Sequence, residues 1–312
     1  MGTYLIRRLW QMIPTMLGVI LLVFLLFTQF GGDPAQVLAG KITDQAQIDN
    51  IRKELGVDQP AYVQLWIFVK QVFTFDFGRS WVTKEEVSHI FKNHAGASLT
   101  VAVPILIIEL VLGLSLALWV AYRRGSVTDR SVMVICIVAM SISFLVYIIA
   151  GQYLFGFALG WFPVQGWSDG LWRNLTYFAP LPILLAVMVG LGPTIRLYRS
   201  VFLDELGHDY VRTARAKGLS ERSVMFKHVL RNALIPVITN VAMALPGLVL
   251  GVFLLERFFS IPGLGREVII AVERSDFPVI KAITVYLAFA TMVFNLIADL
   301  LYRWADPRVE LR

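Results

Sequence analysis

One cysteine in 312 residues, Cys136, rules out an internal disulfide. Its place inside an apolar run reads as a small buried hydrophobe rather than a reactive thiol. His89 and His94 stand five apart, which does not bring two imidazoles to one helix face, and no Cys or carboxylate set completes a zinc-type site. Charge is scarce, at 16% of residues. The basic side chains are not interleaved with aromatic ones as a nucleic-acid groove requires, so no nucleic-acid partner is expected. No phosphate-binding loop occurs: "SIPGLG", residues 260–265, lacks the Gly-Lys-Ser/Thr ending whose lysine reaches the phosphates. The apolar stretches hold no Ser/His, paired-Asp or His-Glu-x-x-His arrangement, which excludes an intramembrane enzyme.

What the chain has in excess is long hydrocarbon blocks, at 57% hydrophobic residues overall. Leu9–Phe30 is 22 residues long. As a helix it rises about 33 Å and so crosses a bilayer core of about 30 Å. It is too long for a signal-peptide core and is not followed by a small-x-small cleavage site, so it reads as an uncleaved first span. Ser98–Tyr122 is the next block, followed by blocks at 131–155, 177–195, 233–256 and 282–302, each bounded by charge, Gly or Pro. Six transmembrane helices are predicted, in an all-α integral membrane protein.

Orientation follows from Lys and Arg in the short loops. The N-terminal tail, the 122–131 turn, the 196–232 loop and the tail from Arg303 carry sixteen, whereas the loops 156–176 and 257–281 carry five. Both termini therefore face the cytoplasm. Residues 1–30 form the cytoplasmic N-terminus and first span, 31–97 an extracytoplasmic insert, and 98–312 the transmembrane core with its cytoplasmic loop 196–232. Within the insert, Ile48, Ile51 and Leu55 have helical spacing with Gly56 as C-cap, and "AYVQLWIFVKQVF" reads as a second amphipathic helix.

The least membrane-like stretch is "DYVRTARAKGLSERSVMFKHVLRN", residues 209–232, with six Lys/Arg and two Asp/Glu. Asp209 to Lys217 has a helical pattern that stops at Gly218, where a left-handed C-cap is open to glycine, and Ser220 can cap a second helix. Two helices too short to be stable alone meet at a Gly-Leu-Ser corner. The small Ala214 and Ala216 suit close approach by a partner's groove, with Val224, Met225, Phe226 and Val229 on the second helix. Glu109, in the middle of the second span, is the one intramembrane carboxylate with a possible pathway role; protonated packing is the alternative. Asp299 has Arg303 four residues on and reads as an interfacial ion pair. Pro262, Gly263 and Gly265 turn the chain on the extracytoplasmic side.

"YVRTARAKGLSERSVMFKHVLRNALIPVI" closely resembles the cytoplasmic loop of ABC importer permeases, in the form found in the dipeptide/oligopeptide (and nickel) transport family. "RRLWQMIPTMLGVILLVFLL", "GGDPA", "IRKELGVDQP", "FDFGRSW", "YRRGSVTDR", "ERFFSIPGLGREV" and "ADPR" look like stretches of the first permease subunit of that family, in order along nearly the whole chain. Where the wider consensus has Glu-Ala-Ala, this chain has Arg212, Thr213 and Ala214, as the peptide branch does. The resemblance implies a type I importer fold in a bacterial inner membrane, forming half of a pathway for di- or oligopeptides. It implies that Tyr210, Arg212, Thr213, Ala214, Arg215, Ala216, Lys217, Gly218, Leu219 and Ser220 belong to a loop that docks on an ATPase. It also places the 260–265 loop near the mouth of the pathway. The implied partners are a second homologous permease, two ATPase subunits or domains that hold ATP and magnesium, and an extracytoplasmic binding protein. Similar permeases carry nickel complexes, glutathione or sugars. An ion-coupled secondary carrier would need ion-binding groups and broken half-helices in matching repeats, of which only Glu109 hints.

Overall fold

The structure, a computed structural model, describes residues 2–30, 33–39, 44–250 and 252–305. The described residues are helical apart from turns, loops and one isolated bridge between Arg79 and Glu86. Four helices are long and apolar enough to cross a membrane. They belong to α1 (Gly2–Phe30), α5 (Val87–Tyr122), α9 (Pro180–Leu206) and α16 (Phe277–Ala305). Two further candidates are bent pairs. α6 (Val127–Ser141) meets α7 (Phe144–Gly151) and its π-helical extension Gln152–Ala158 at 89°. The segment Glu221–Asn232 meets α13 (Leu234–Leu250) at 52°.

Each break has a local cause. Ile142 is extended between α6 and α7, and the Tyr147 hydroxyl donates to the Ala139 carbonyl at 3.1 Å, satisfying an acceptor at the broken end. At the second bend, Pro236 cannot donate to Asn232, and its ring crowds that carbonyl, so the helix yields at Ala233.

Several predicted boundaries move. The fifth block is not one helix to residue 256: α13 ends at Leu250, and Glu256 lies on a separate helix, Phe253–Phe258. The fourth block does not stop at residue 195: α9 runs on to Leu206, so Arg196 and Arg199 sit on the helix rather than in a loop. α5 starts at Val87, eleven residues before Ser98, and its 36 residues rise about 54 Å, well beyond a bilayer core.

Residues 33–86 add α2 (Pro34–Ala39), α3 (Gln45–Leu55) and α4 (Ala61–Thr74). Gly56 is left-handed at φ 67° and its N–H donates to Lys53. Ile48 packs on Ala35 and Ala39, and Arg52 binds Asp33 across α2 and α3, holding that carboxyl below the usual range. The Ser80 hydroxyl donates to Asp276, just before α16, whose second oxygen accepts from the Trp81 N–H at 3.1 Å. The packing is divided among clusters: α1 on α4 and α16 through Ile20, Val23, Phe24, Phe68 and Ala282, and α5 and α9 on the helices of residues 209–232 through Ala117, Ala121, Tyr198 and Phe202. Cys136 is buried in the second of these.

Candidate functional site: a basic elbow and two carboxylates

The basic island folds into α10 (Asp209–Ala216) and a second helix made of α11 (Glu221–Ser223), a π-helical stretch Val224–Val229 and α12 (Leu230–Asn232). Gly218 lies at φ 77°, with its N–H bonded to Arg215 and that of Leu219 bonded to Ala214. That pair of bonds is a Schellman closure, which requires the left-handed residue glycine supplies. Ser220 caps the second helix through the Ser223 N–H. Arg215 spans the corner to Glu221 with bonds of 2.8 and 3.2 Å.

The elbow is seated on its own chain. Val211, Ala214, Val224, Met225 and Val229 are buried against Tyr198 and Phe202 of α9. Ala214 is therefore not on the approachable face as the sequence reading had it; its small side chain lets α10 lie close to its own bundle, and Ala216 alone of the two alanines is exposed. Tyr210 is half-buried and donates to Glu205 at 2.5 Å; burial, and then that carboxylate, push its phenol up to about 12. Arg212, Thr213, Arg215, Lys217, Gly218, Leu219 and Ser220 face outward. Leu219 is 40% and Phe226 64% exposed, two apolar points on a charged surface.

One anchor of this region was missed by sequence reasoning. Asp129, near the start of α6, takes a two-pronged contact from Arg199 at 2.7 and 2.8 Å and the Gly125 N–H at 2.8 Å, while Ser126 caps α6. It ties the "YRRGSVTDR" turn to α9. The Asp-to-Arg spacing of 70 residues leaves no local signal.

Glu109 accepts from the Thr194 hydroxyl at 2.5 Å, and its carboxylate fills the space beside Gly190, where a Cβ would come within 2.5 Å of it. Thr194 and Gly190 stand four apart on α9, one helical turn, which is the signal that was available. Asp299 accepts from Arg8 of α1 at 2.9 Å; the Arg303 side chain and the "ADPR" tail from Asp306 on lie outside the described residues.

The 260–265 loop joins α14 (Phe253–Phe258) to α15 (Leu264–Glu273). It folds over Glu256 of α14, which is 1% exposed. Ser98 of α5 donates to it at 2.7 Å, the Arg266 N–H donates at 2.9 Å, and Ser98 in turn accepts the Leu264 N–H at 2.8 Å. Burial pushes this carboxyl up despite those donors. Gly263 is not left-handed: glycine is needed there because a Cβ would collide with Glu256 and come within 2.6 Å of the Ser98 oxygen. Pro262 and Gly265 flank it, Gly265 already in the first turn of α15. His94 and Glu267 approach to 3.6 Å beside this loop.

The family described as "Binding-protein-dependent transport system inner membrane component" matches residues 109–311, and its N-terminal counterpart matches residues 1–102. A putative peptide transport system permease protein of Brucella abortus (strain 2308) is 35% identical over 312 residues, covering 99% of each chain. The glutathione transport system permease protein GsiC of Salmonella typhimurium is 34% identical over 315 residues, covering both chains fully. With both segments matched and relatives aligned end to end, the chain belongs to the family of inner-membrane components of binding-protein-dependent transport systems, the permease subunits of ABC transporters.

Proposed function

We propose that this chain is one of two homologous permeases lining the pathway of an ATP-driven peptide importer. In this reading α6 with α7 crosses as one bent span and α13 crosses after the elbow, which together with the four straight helices gives six spans. Residues 31–97 lie outside with the 260–265 loop, and the elbow and both termini lie in the cytoplasm. The sixteen-to-five bias of basic residues supports that orientation. ATP and its magnesium belong to two partner ATPase subunits or domains, since this chain carries no phosphate-binding loop. An extracytoplasmic binding protein delivers the cargo.

The observation that carries the reading is the elbow: a Schellman-closed corner, rooted in the bundle by Val211, Ala214 and Val224, that presents Leu219, Ser220 and Phe226 outward. A solvated loop has no need of a rigid root. A lever that transmits motion from an ATPase groove to α9 does. Leu219→Asp with Phe226→Asp should leave the chain inserted and abundant but abolish co-purification of the ATPase and with it uptake. Retained ATPase binding at the wild-type level would sink the assignment.

Peptides are favoured as cargo by the relatives' description, with glutathione, itself a tripeptide, as the alternative. Uptake of a labelled oligopeptide that excess glutathione does not suppress separates them. Glu109, bound to Thr194 at mid-span, is the intramembrane carboxylate that this reading assigns to the pathway, with packing between α5 and α9 as the alternative. An ion-coupled carrier is the weaker reading, because this carboxylate stands without a matching repeat.

A further inference from the structure

A cavity of about 860 Å³ opens between α1, α4, the loop before α5 and the start of α16. Lys281 lies on its wall, four residues into α16. Its ammonium is 5.6 Å from the ring centroid of Phe27 and 5.4 Å from that of Phe68. Among the described residues it makes no hydrogen bond and no ion pair. Ring faces hold a cation in place, but they do not neutralise it.

The rest of the lining leans the same way. Arg52, Arg79, Lys84 and Lys281 stand against Asp33 and Glu54, and Asp33 is already taken by Arg52. The cavity therefore keeps an excess of positive charge. Its depth is also informative. Trp81 packs edge-on against Phe277 at the start of α16, and a tryptophan at the end of a span sits at the headgroup level of a bilayer. Lys281 is about 6 Å along the helix axis from Phe277, within reach of that level for a snorkelling side chain.

We propose that this cavity binds a phosphate-bearing anion, with Lys281 as its principal contact, and that at this depth the source is the phosphodiester of an anionic phospholipid. A zwitterionic headgroup fits less well, because its own cation would meet the surplus of Arg79 and Lys84. The site rests on α16 crossing the bilayer, and it is independent of the coupling role of the elbow.

The test uses the full chain co-expressed with its partner subunits and purified in mild detergent. Native mass spectrometry follows lipid retention after incubation with phosphatidylglycerol, with phosphatidylcholine, or with inorganic phosphate as a competitor. Wild type should hold phosphatidylglycerol about tenfold more tightly than Lys281→Met, the scale of one charge-assisted bond. Lys281→Arg should keep most of that retention, and phosphatidylcholine should bind both proteins alike. Displacement by millimolar inorganic phosphate keeps the anion site and assigns it to the free ion; resistance to phosphate assigns it to the lipid. Equal phosphatidylglycerol retention by wild type and Lys281→Met overturns the proposal. If that variant does not accumulate, wild type decides alone: no preference for phosphatidylglycerol over phosphatidylcholine, together with no effect of phosphate, overturns it.

Discussion

At the scale of single residues, glycine and carboxylate positions separate two kinds of constraint. Gly218 has open space around it but a left-handed backbone. Gly218→Val should therefore strain the corner by roughly 1–3 kcal/mol, whereas Gly218→Asn, which tolerates that conformation, should function nearly as wild type. Uptake normalised to membrane abundance checks the pair; equal loss in both would point to crowding instead of backbone. Gly263 is the converse, held by lack of room beside Glu256. Glu256→Ala would orphan the Ser98 hydroxyl and the Arg266 N–H, costing about 1–3 kcal/mol for each donor left buried. Glu256→Gln keeps one acceptor and should lose less. Because burial raises this carboxyl, its stabilising contribution is full below the unfolded value of about 4.3 and fades as pH rises through the folded value. Thermal unfolding in detergent, wild type against Glu256→Gln across pH 4 to 8, should show the difference narrowing upward in pH. The sequence displayed Gly218 and its capping serine openly, since caps are local. The role of Glu256 was hidden, because Ser98 is 158 residues away and only the fold brings it near.

Among elements, the insert and the bends behave differently. α3 and α4 were legible from apolar spacing, and Gly56 from its position after Leu55. The contact that orients α2 on α3 was not: Arg52 reaches Asp33 over 19 residues. Arg52 depresses this carboxyl, so the linkage sign is opposite to that of Glu256. Its contribution is present above the unfolded value near 3.9 and is lost as pH falls through the lower folded value. Asp33→Asn should therefore raise protease sensitivity of the insert at pH 7, and acidification below about pH 4 should do the same to wild type while changing the variant little. Peptide mapping after brief digestion reads both. The bends were not legible. Hydropathy sums residues without regard to direction, so an 89° break at Ile142 leaves an apolar block looking continuous. The end of α9 was misplaced for a related reason: Arg199 looks like a loop charge until Asp129 pairs with it inside the helix.

For the molecule as a whole, the proposed orientation makes a direct prediction. In a Cys136→Ser background, Gln59→Cys in the insert and Ser220→Cys at the elbow, both exposed sites, should differ under an impermeant maleimide applied to intact cells. Gln59→Cys should react and Ser220→Cys should not, with the outer membrane permeabilised if one is present. Labelling confined to Ser220→Cys would invert the topology. One feature of the architecture also bears on time. α1 packs on α16 through Ile20, Val23 and Phe24, is pinned to it by Arg8 and Asp299, and meets it again at Phe27 and Phe277. The first and last spans of the chain are thus neighbours. Translation proceeds at about 5–20 residues per second, so some 12 to 50 seconds separate the emergence of Thr28 from that of Asp276. Over that interval α1 sits in lipid without α16 against it, which is a reason for its stretch from Met16 to Phe27 to be apolar on every face.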